Sequence, residues 1–119
     1  MFDGIPDHVD RNVSTTTTGG YILAVELSDG TTRIASTSYP AKYVANWRAN
    51  VRRFNVPPIV RVLISWPLLR YSALKRALVK DISSAETAET GVFEIDAPTL
   101  TTIARDIFQS DVLFKNNGS

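Results

Sequence analysis

Ten cationic side chains between residues 33 and 80 carry the strongest chemical signal in the sequence, because no acidic residue lies among them. All twelve acids fall before residue 33 or after residue 80, so the formal net charge of +1 conceals a segregation of charge. Soluble surfaces usually mix the two signs, and a stretch without acids indicates a surface that attracts a polyanion. The alternative is that these cations pair with the acidic ends of the folded chain. The ten are Arg33, Lys42, Arg48, Arg52, Arg53, Arg61, Arg70, Lys75, Arg76 and Lys80.

The chain contains too few histidines and cysteines for a site built from these residues. There is no cysteine, which excludes disulfides, thiolate nucleophiles and thiolate metal ligands. The single histidine, His8, lies in a polar N-terminal segment, where we expect it to be exposed to solvent. We therefore expect no histidine-based metal site, no catalytic triad and no cofactor.

The length of 119 residues predicts a single domain. Residues 1–18 are polar and show no periodicity, so we expect a flexible N-terminal arm with little structure of its own. The domain should cover residues 19–112, and residues 113–119 should form a frayed C-terminal tail. We find no signal-peptide pattern and no apolar run near the ~18 residues that span a bilayer. A cytoplasmic protein without a membrane partner is expected.

Hydrophobic patterns predict the elements of this domain. Residues 21–27 and 31–36 should form a hairpin around the turn "SDG". A helix over residues 40–54 should begin at Pro40, and the β-branched run "IVRVLISW" should form a third strand. The predicted buried side of this helix consists of Tyr43, Val44, Trp47, Val51 and Phe54.

The C-terminal half should contain two more helices and a short strand. The stretch "SALKRALVK", residues 72–80, predicts a helix capped by Ser72, with Leu74, Ala77 and Leu78 facing the core. The short strand "VFEI" follows, and Asp96 should then cap a last helix that carries an apolar stripe. The stripe consists of Leu100, Ile103, Ala104, Ile107 and Phe108. The order β-β-α-β-α-β-α predicts an α+β fold, a small antiparallel sheet of three to four strands flanked by helices.

This order, together with several short strings, resembles the GIY-YIG endonuclease superfamily and, more narrowly, its compact phage- and plasmid-associated branch. The strings are "GYILAVELSDGTTRIAST" at residues 20–37, the helix that begins with proline, and "ALKRAL" at residues 73–78, where that branch has "ALERAL". The resemblance covers about residues 19–96. It implies a GIY-YIG-like fold and a nuclease in which a glutamate holds one metal ion while a tyrosine and an arginine help water to attack a phosphodiester.

At each of these functional positions the chain departs from the family pattern. The two motif tyrosines fall on Leu23 and Arg33, although Tyr21 could replace the first by a shift of register. The arginine of the helix falls near Tyr43, with Lys42 beside it, and the glutamate that holds the metal falls on Lys75. An ammonium cannot replace a hard oxygen ligand and repels a divalent cation by several kcal/mol at short range. The resemblance therefore implies a pseudo-nuclease without a metal, with these four positions converging on one surface.

Three hypotheses follow. The first is an inactive GIY-YIG-like protein, a plasmid or phage regulator that binds duplex DNA through phosphate contacts along a cationic face. Its DNA-binding residues would be Arg52, Arg53, Lys75 and Arg76, supported by Arg33, Lys42, Arg48 and Lys80.

The second is an interaction module or inhibitor that binds an acidic protein partner, with Trp47, Trp66, Phe54 and Tyr71 as candidate anchors. The third is an active nuclease that uses Glu26 or Glu94 as an unrecognised acid.

Overall fold

The computed structural model of the chain describes residues 2–5 and 19–109. This part of the chain contains five strands and three α-helices. The strands are β1 (Phe2–Asp3), β2 (Tyr21–Leu27), β3 (Thr32–Thr37), β4 (Ile59–Ile64) and β5 (Val92–Phe93), and the helices are α1 (Pro40–Phe54), α2 (Tyr71–Asp81) and α3 (Ala97–Phe108). A 3-10 turn, Ser83–Ala85, follows α2.

All five strands form one antiparallel sheet in the order β1-β4-β2-β3-β5. The predicted α+β class is confirmed, as is the hairpin of β2 and β3. The predicted number of strands is wrong, because β1 adds a fifth strand at the edge, where Phe2 lies opposite Ile64. The Gly4 amide also donates to the Val62 carbonyl at 2.7 Å. Two paired residues leave no periodic pattern in a sequence, so only the tertiary structure reveals this strand.

The prediction of an arm with little structure therefore fails for its first described residues, 2–5. The remainder of the predicted arm, with His8, and the predicted C-terminal tail lie outside the described residues.

Strand β2 lies at the centre of the sheet and is buried on both faces. Ile22 and Ala24 pack towards α2 and α3, whereas Leu23 and Val25 pack towards α1. A strand covered on both faces reads as a continuous apolar run, and "YILAV" is such a run. We call the two sides of the sheet the α1 face and the α2/α3 face.

Helix α1 has the predicted bounds, and it ends where Asn55 adopts a left-handed conformation with φ 53°. Val44 is buried, and Tyr43, Trp47 and Val51 are half-buried. Phe54 is 65% exposed, so its predicted burial is wrong. Helical spacing identifies the side of a helix that faces the core but does not say how far along the helix the sheet extends.

Helix α2 begins at Tyr71, and no side chain caps it, so the predicted capping role of Ser72 is wrong. Leu74 and Leu78 are buried as predicted, but Ala77 is exposed. Instead of Ala77, the half-buried Tyr71 packs against the core. Tyr71, Leu74 and Leu78 have the i, i+3, i+7 spacing that places them on one side of a helix.

Helix α3 follows its prediction closely. Asp96 caps it by accepting a hydrogen bond from the Thr99 amide at 3.0 Å. Leu100, Ala104 and Phe108 are buried in the core between the helices and the sheet.

The buried Ser65 hydroxyl connects β2 to the segment that follows β4 through two hydrogen bonds. It accepts a hydrogen bond from the Ile22 amide at 3.0 Å and donates one to the Trp66 carbonyl at 2.8 Å. Ser65→Ala should lower the free energy of unfolding by about 1–3 kcal/mol, because the buried Ile22 amide would lose its acceptor. Denaturant unfolding measures this, with the exposed Ser84→Ala as control, expected to change by less than about 0.5 kcal/mol. Equal effects of both substitutions would contradict the assignment.

The cap of α3 predicts a pH dependence of stability. The Thr99 backbone amide, and then its hydroxyl, hold the pKa of Asp96 below its ordinary value. The folded state thus favours the charged carboxylate, and this contribution is present above pH ~4 and lost as pH falls through the lowered pKa. Thr99→Ala should raise the pKa of Asp96 in an NMR titration, because it removes the hydroxyl bond. If the pKa does not move, the Thr99 hydroxyl does not bind the Asp96 carboxylate.

Candidate anion-binding surfaces

The four positions that the resemblance assigns to catalysis do not meet on one surface. Leu23 is fully buried on the α1 face, and Tyr43 and Arg33 lie on the same face. Lys75 lies on α2, where it lines a groove together with Ile34 and Ser36. Ile34 belongs to the core of the α2/α3 face, so the sheet separates Lys75 from the other three positions. The predicted convergence is wrong.

Arg33 is a cation with partners inside the protein. Its Nη2 donates to Glu89 Oε2 at 2.9 Å, and its guanidinium lies 5.3 Å from the centroid of the Trp47 ring. Contacts of this kind fix the side chain over the indole. Arg33 is therefore a poor candidate for DNA binding, because a phosphate would have to compete with Glu89 for the guanidinium.

Arg61 is also paired, although more loosely. Its guanidinium lies 3.9 Å from Asp3 and 3.8 Å from Glu26. The alternative that cations pair with the acidic ends of the chain is therefore correct for Arg33 and Arg61. Among the acids of residues 2–5 and 19–109, none forms an ion pair with Arg48, Arg52 and Arg53 of α1 or with Lys75, Arg76 and Lys80 of α2.

The first cationic surface lies on the solvent side of α1. Arg48, Arg52 and Arg53 are exposed and form no ion pair with an acid of residues 2–5 or 19–109. Lys42, which is also exposed, lies on the same helix. We call these four residues the α1 surface. Arg52 and Arg53 occupy the last turn, where cations also interact favourably with the helix dipole.

The exposed ring of Phe54 extends the α1 surface at its C-terminal end. The Arg53 guanidinium lies 5.8 Å from the centroid of this ring. The other predicted anchors are less accessible: Trp47 and Tyr71 are half-buried, and Trp66 packs edge-on against Phe2 and Phe108. Among the four aromatic candidates, only Phe54 is available to a partner from this side.

The second cationic surface is a groove of about 530 Å³ on the α2/α3 face. Lys75, Arg76 and Lys80 lie along its α2 wall. No acid in the described part of the chain forms an ion pair with any of the three. The groove also contains the hydroxyl-bearing residues Ser36, Ser72 and Thr90 and the apolar residues Ile34, Val79 and Phe93. We call this site the α2 groove.

The wall opposite α2 is the turn before β5, which contributes Glu86, Thr90 and Gly91 to the groove. The carboxylate of Glu86 is hydrogen-bonded within this turn. Glu86 Oε2 accepts a hydrogen bond from the Gly91 amide at 2.7 Å. The amide of Thr87 donates to the Val92 carbonyl, which closes the turn onto β5. Glu86 therefore has a partner within the turn, and no acid of the described residues forms an ion pair with the α2 cations that line the groove.

Carboxylates do not gather elsewhere in the described residues. No three side chains of histidine, aspartate or glutamate in residues 2–5 and 19–109 lie close enough to hold a metal ion. Glu26 lies beside Arg61, and Glu94 is exposed.

Comparisons with known proteins found no match to a family model, to a curated protein or to a solved structure. Within the described residues, no helix is both long and apolar enough to cross a membrane.

Sequence reasoning identified the cations of both surfaces but not the α2 groove. The i, i+3, i+4, i+7 spacing of Ser72, Lys75, Arg76 and Val79 places them on one side of α2. This spacing could have predicted the α2 wall of the groove. The opposite wall comes from the turn before β5, and the sequence does not show where that turn docks.

The proximity of Arg33 to Tyr43 predicts that a substitution at Arg33 changes the pKa of the Tyr43 phenol. Burial raises the pKa of the Tyr43 phenol, and the positive charge of Arg33 acts in the opposite direction. Arg33→Met should therefore raise the pKa of Tyr43 further, as measured by NMR titration of the tyrosine ring. Glu89→Gln keeps the Arg33 charge and should move this pKa much less. If Arg33→Met leaves the pKa unchanged, the two side chains are not close.

Proposed function

We propose that this protein binds duplex DNA through phosphate contacts made by the α1 surface and does not cleave it. The observation that supports this most directly is the contrast among the cations. Arg33 and Arg61 are held by acids, whereas Arg48, Arg52 and Arg53 are exposed on one helix without an acid to neutralise them in the described residues.

The α1 surface suits a phosphate backbone for two reasons. It is the solvent side of a helix of 15 residues, and neither α1 nor the sequence from 33 to 80 contains an acid that would repel phosphate. Arginine also binds phosphate oxygens with two parallel hydrogen bonds. Contacts of this kind give affinity that depends on salt and largely not on sequence.

The absence of cleavage is proposed from the position of Lys75 in the resemblance to GIY-YIG nucleases. Membership of that superfamily remains a prediction, and the separation of the four catalytic positions gives it no support from the geometry. DNA binding by the α1 surface does not depend on it.

DNA binding is tested by titrating labelled duplex DNA at about 50 and 200 mM salt. The double charge reversal Arg52→Glu with Arg53→Glu should weaken binding at least about tenfold and reduce the slope of log K against log salt by about 2. The matched control is Arg76→Glu with Lys80→Glu, which changes net charge by the same amount on the opposite face and should change affinity much less.

Three outcomes would overturn the proposal: no affinity at low salt, affinity independent of salt, or equal losses in both double variants. Circular dichroism and denaturant unfolding confirm that each variant is folded. Plasmid nicking with magnesium or manganese should be absent, and nicking that is lost in Glu26→Gln or Glu94→Gln would instead establish a nuclease.

A further inference from the structure

We infer that the α2 groove binds an extended acidic segment of a partner protein, which adds to the sheet as a strand along β3. This inference is independent of DNA binding by the α1 surface, because it concerns other residues on the opposite face of the sheet.

The first support is the outer edge of β3, which another described strand pairs with over only part of its length, although Ile34 and Ala35 themselves are buried. β3 extends from Thr32 to Thr37, but β5 pairs with it only at Thr32 and Arg33. Beyond those two pairs, no strand of the described residues covers residues 34–37 on that side. An open strand edge presents amide and carbonyl groups in the geometry that a further strand needs, and extended peptides bind to other proteins in this way.

The second support is that the α2 groove lies beside this open edge. Ile34 and Ser36 are two residues apart on β3, so their side chains point to the same face of the sheet. Both line the groove, which therefore runs along the strand. Four residues of an added strand would extend about 13 Å. Alternate side chains of that strand would point into the groove, where the half-buried Val79 and the small exposed part of Ile34 offer apolar contact.

The third support is the charge of the groove. Lys75, Arg76 and Lys80 line its α2 wall, and Glu86 lies on the opposite wall, so cations outnumber carboxylates by three to one among the residues that line the groove. A ligand that complements this wall carries carboxylates together with apolar side chains. Long-range attraction between opposite charges would also speed the encounter of such a segment with the groove.

A peptide fits these features better than duplex DNA does. The groove measures about 530 Å³, which accommodates a few side chains but not the width of a duplex. Its apolar floor offers nothing to a phosphate backbone, whereas sites that are concave and partly apolar are typical for side chains and small ligands.

The test uses the full chain and a fluorescent peptide of alternating glutamate and leucine, measured by fluorescence anisotropy. One control peptide has glutamine in place of glutamate, and another has a central proline, which removes a backbone amide and disfavours strand pairing. The protein variants are the two double charge reversals, Arg76→Glu with Lys80→Glu and Arg52→Glu with Arg53→Glu, since both change exposed residues and net charge equally.

We expect the glutamate peptide to bind at least about tenfold more tightly than either control peptide. Reversal at Arg76 and Lys80 should abolish this preference for glutamate, whereas reversal at Arg52 and Arg53 should leave it intact. In NMR spectra, the peptide should shift the amide signals of Ala35, Ser36 and Thr37 before those of α1.

Several results would overturn the inference. Equal binding of the glutamine peptide excludes recognition of charge, and equal binding of the proline peptide excludes strand addition. Equal losses in both double variants reduce the effect to net charge. If sedimentation shows a dimer that only the Arg76 and Lys80 reversal disrupts, the groove binds a second copy of the chain. If an oligonucleotide displaces the peptide from the groove, the groove binds nucleic acid. Loss of DNA binding by the α1 surface has no bearing on any of these results.

Discussion

The burial of β2 on both faces is the constraint on which the rest of the structure depends. β2 lies between β4 and β3, and its residues alternate between two separate cores. Each face must be covered by helices, because an apolar strand cannot leave either side exposed to water. α1 covers one face, and α2 with α3 covers the other. Ser65, which bonds the Ile22 amide, ties this central strand to the segment that leads into α2.

This two-sided covering divides a stretch of charge that is continuous in the sequence. The residues from 33 to 80 contain α1, β4 and all but one terminal residue of β3 and of α2, so the chain passes from one face of the sheet to the other within the acid-free stretch. The cations of α1 and those of α2 therefore lie on opposite sides of the sheet. Arg33 and Arg61 lie on strands within reach of acids from other parts of the chain and form ion pairs with them.

The two cationic surfaces differ in shape, and shape determines what each can bind. The α1 surface is the outer side of a helix with an exposed aromatic ring at its end, which is compatible with the proposed contacts to a phosphate backbone. The α2 groove has a cationic wall, an apolar floor and an open strand edge beside it, and it suits a segment with side chains. The same excess of positive charge thus supports two proposals that concern different classes of partner.

The sequence by itself determined the α+β class, the hairpin, the bounds of α1, the cap of α3 and the segregation of charge. These features depend on local propensity, periodicity and residue type, which the order of amino acids contains directly. Only the tertiary structure decided that β1 pairs with β4, that Phe54 is exposed, that Arg33 lies over Trp47, and that Lys75 faces a groove away from Leu23 and Tyr43. Each of these depends on where a helix or strand is placed against the sheet. That placement arises from contacts between residues far apart in the chain, and no local pattern records it.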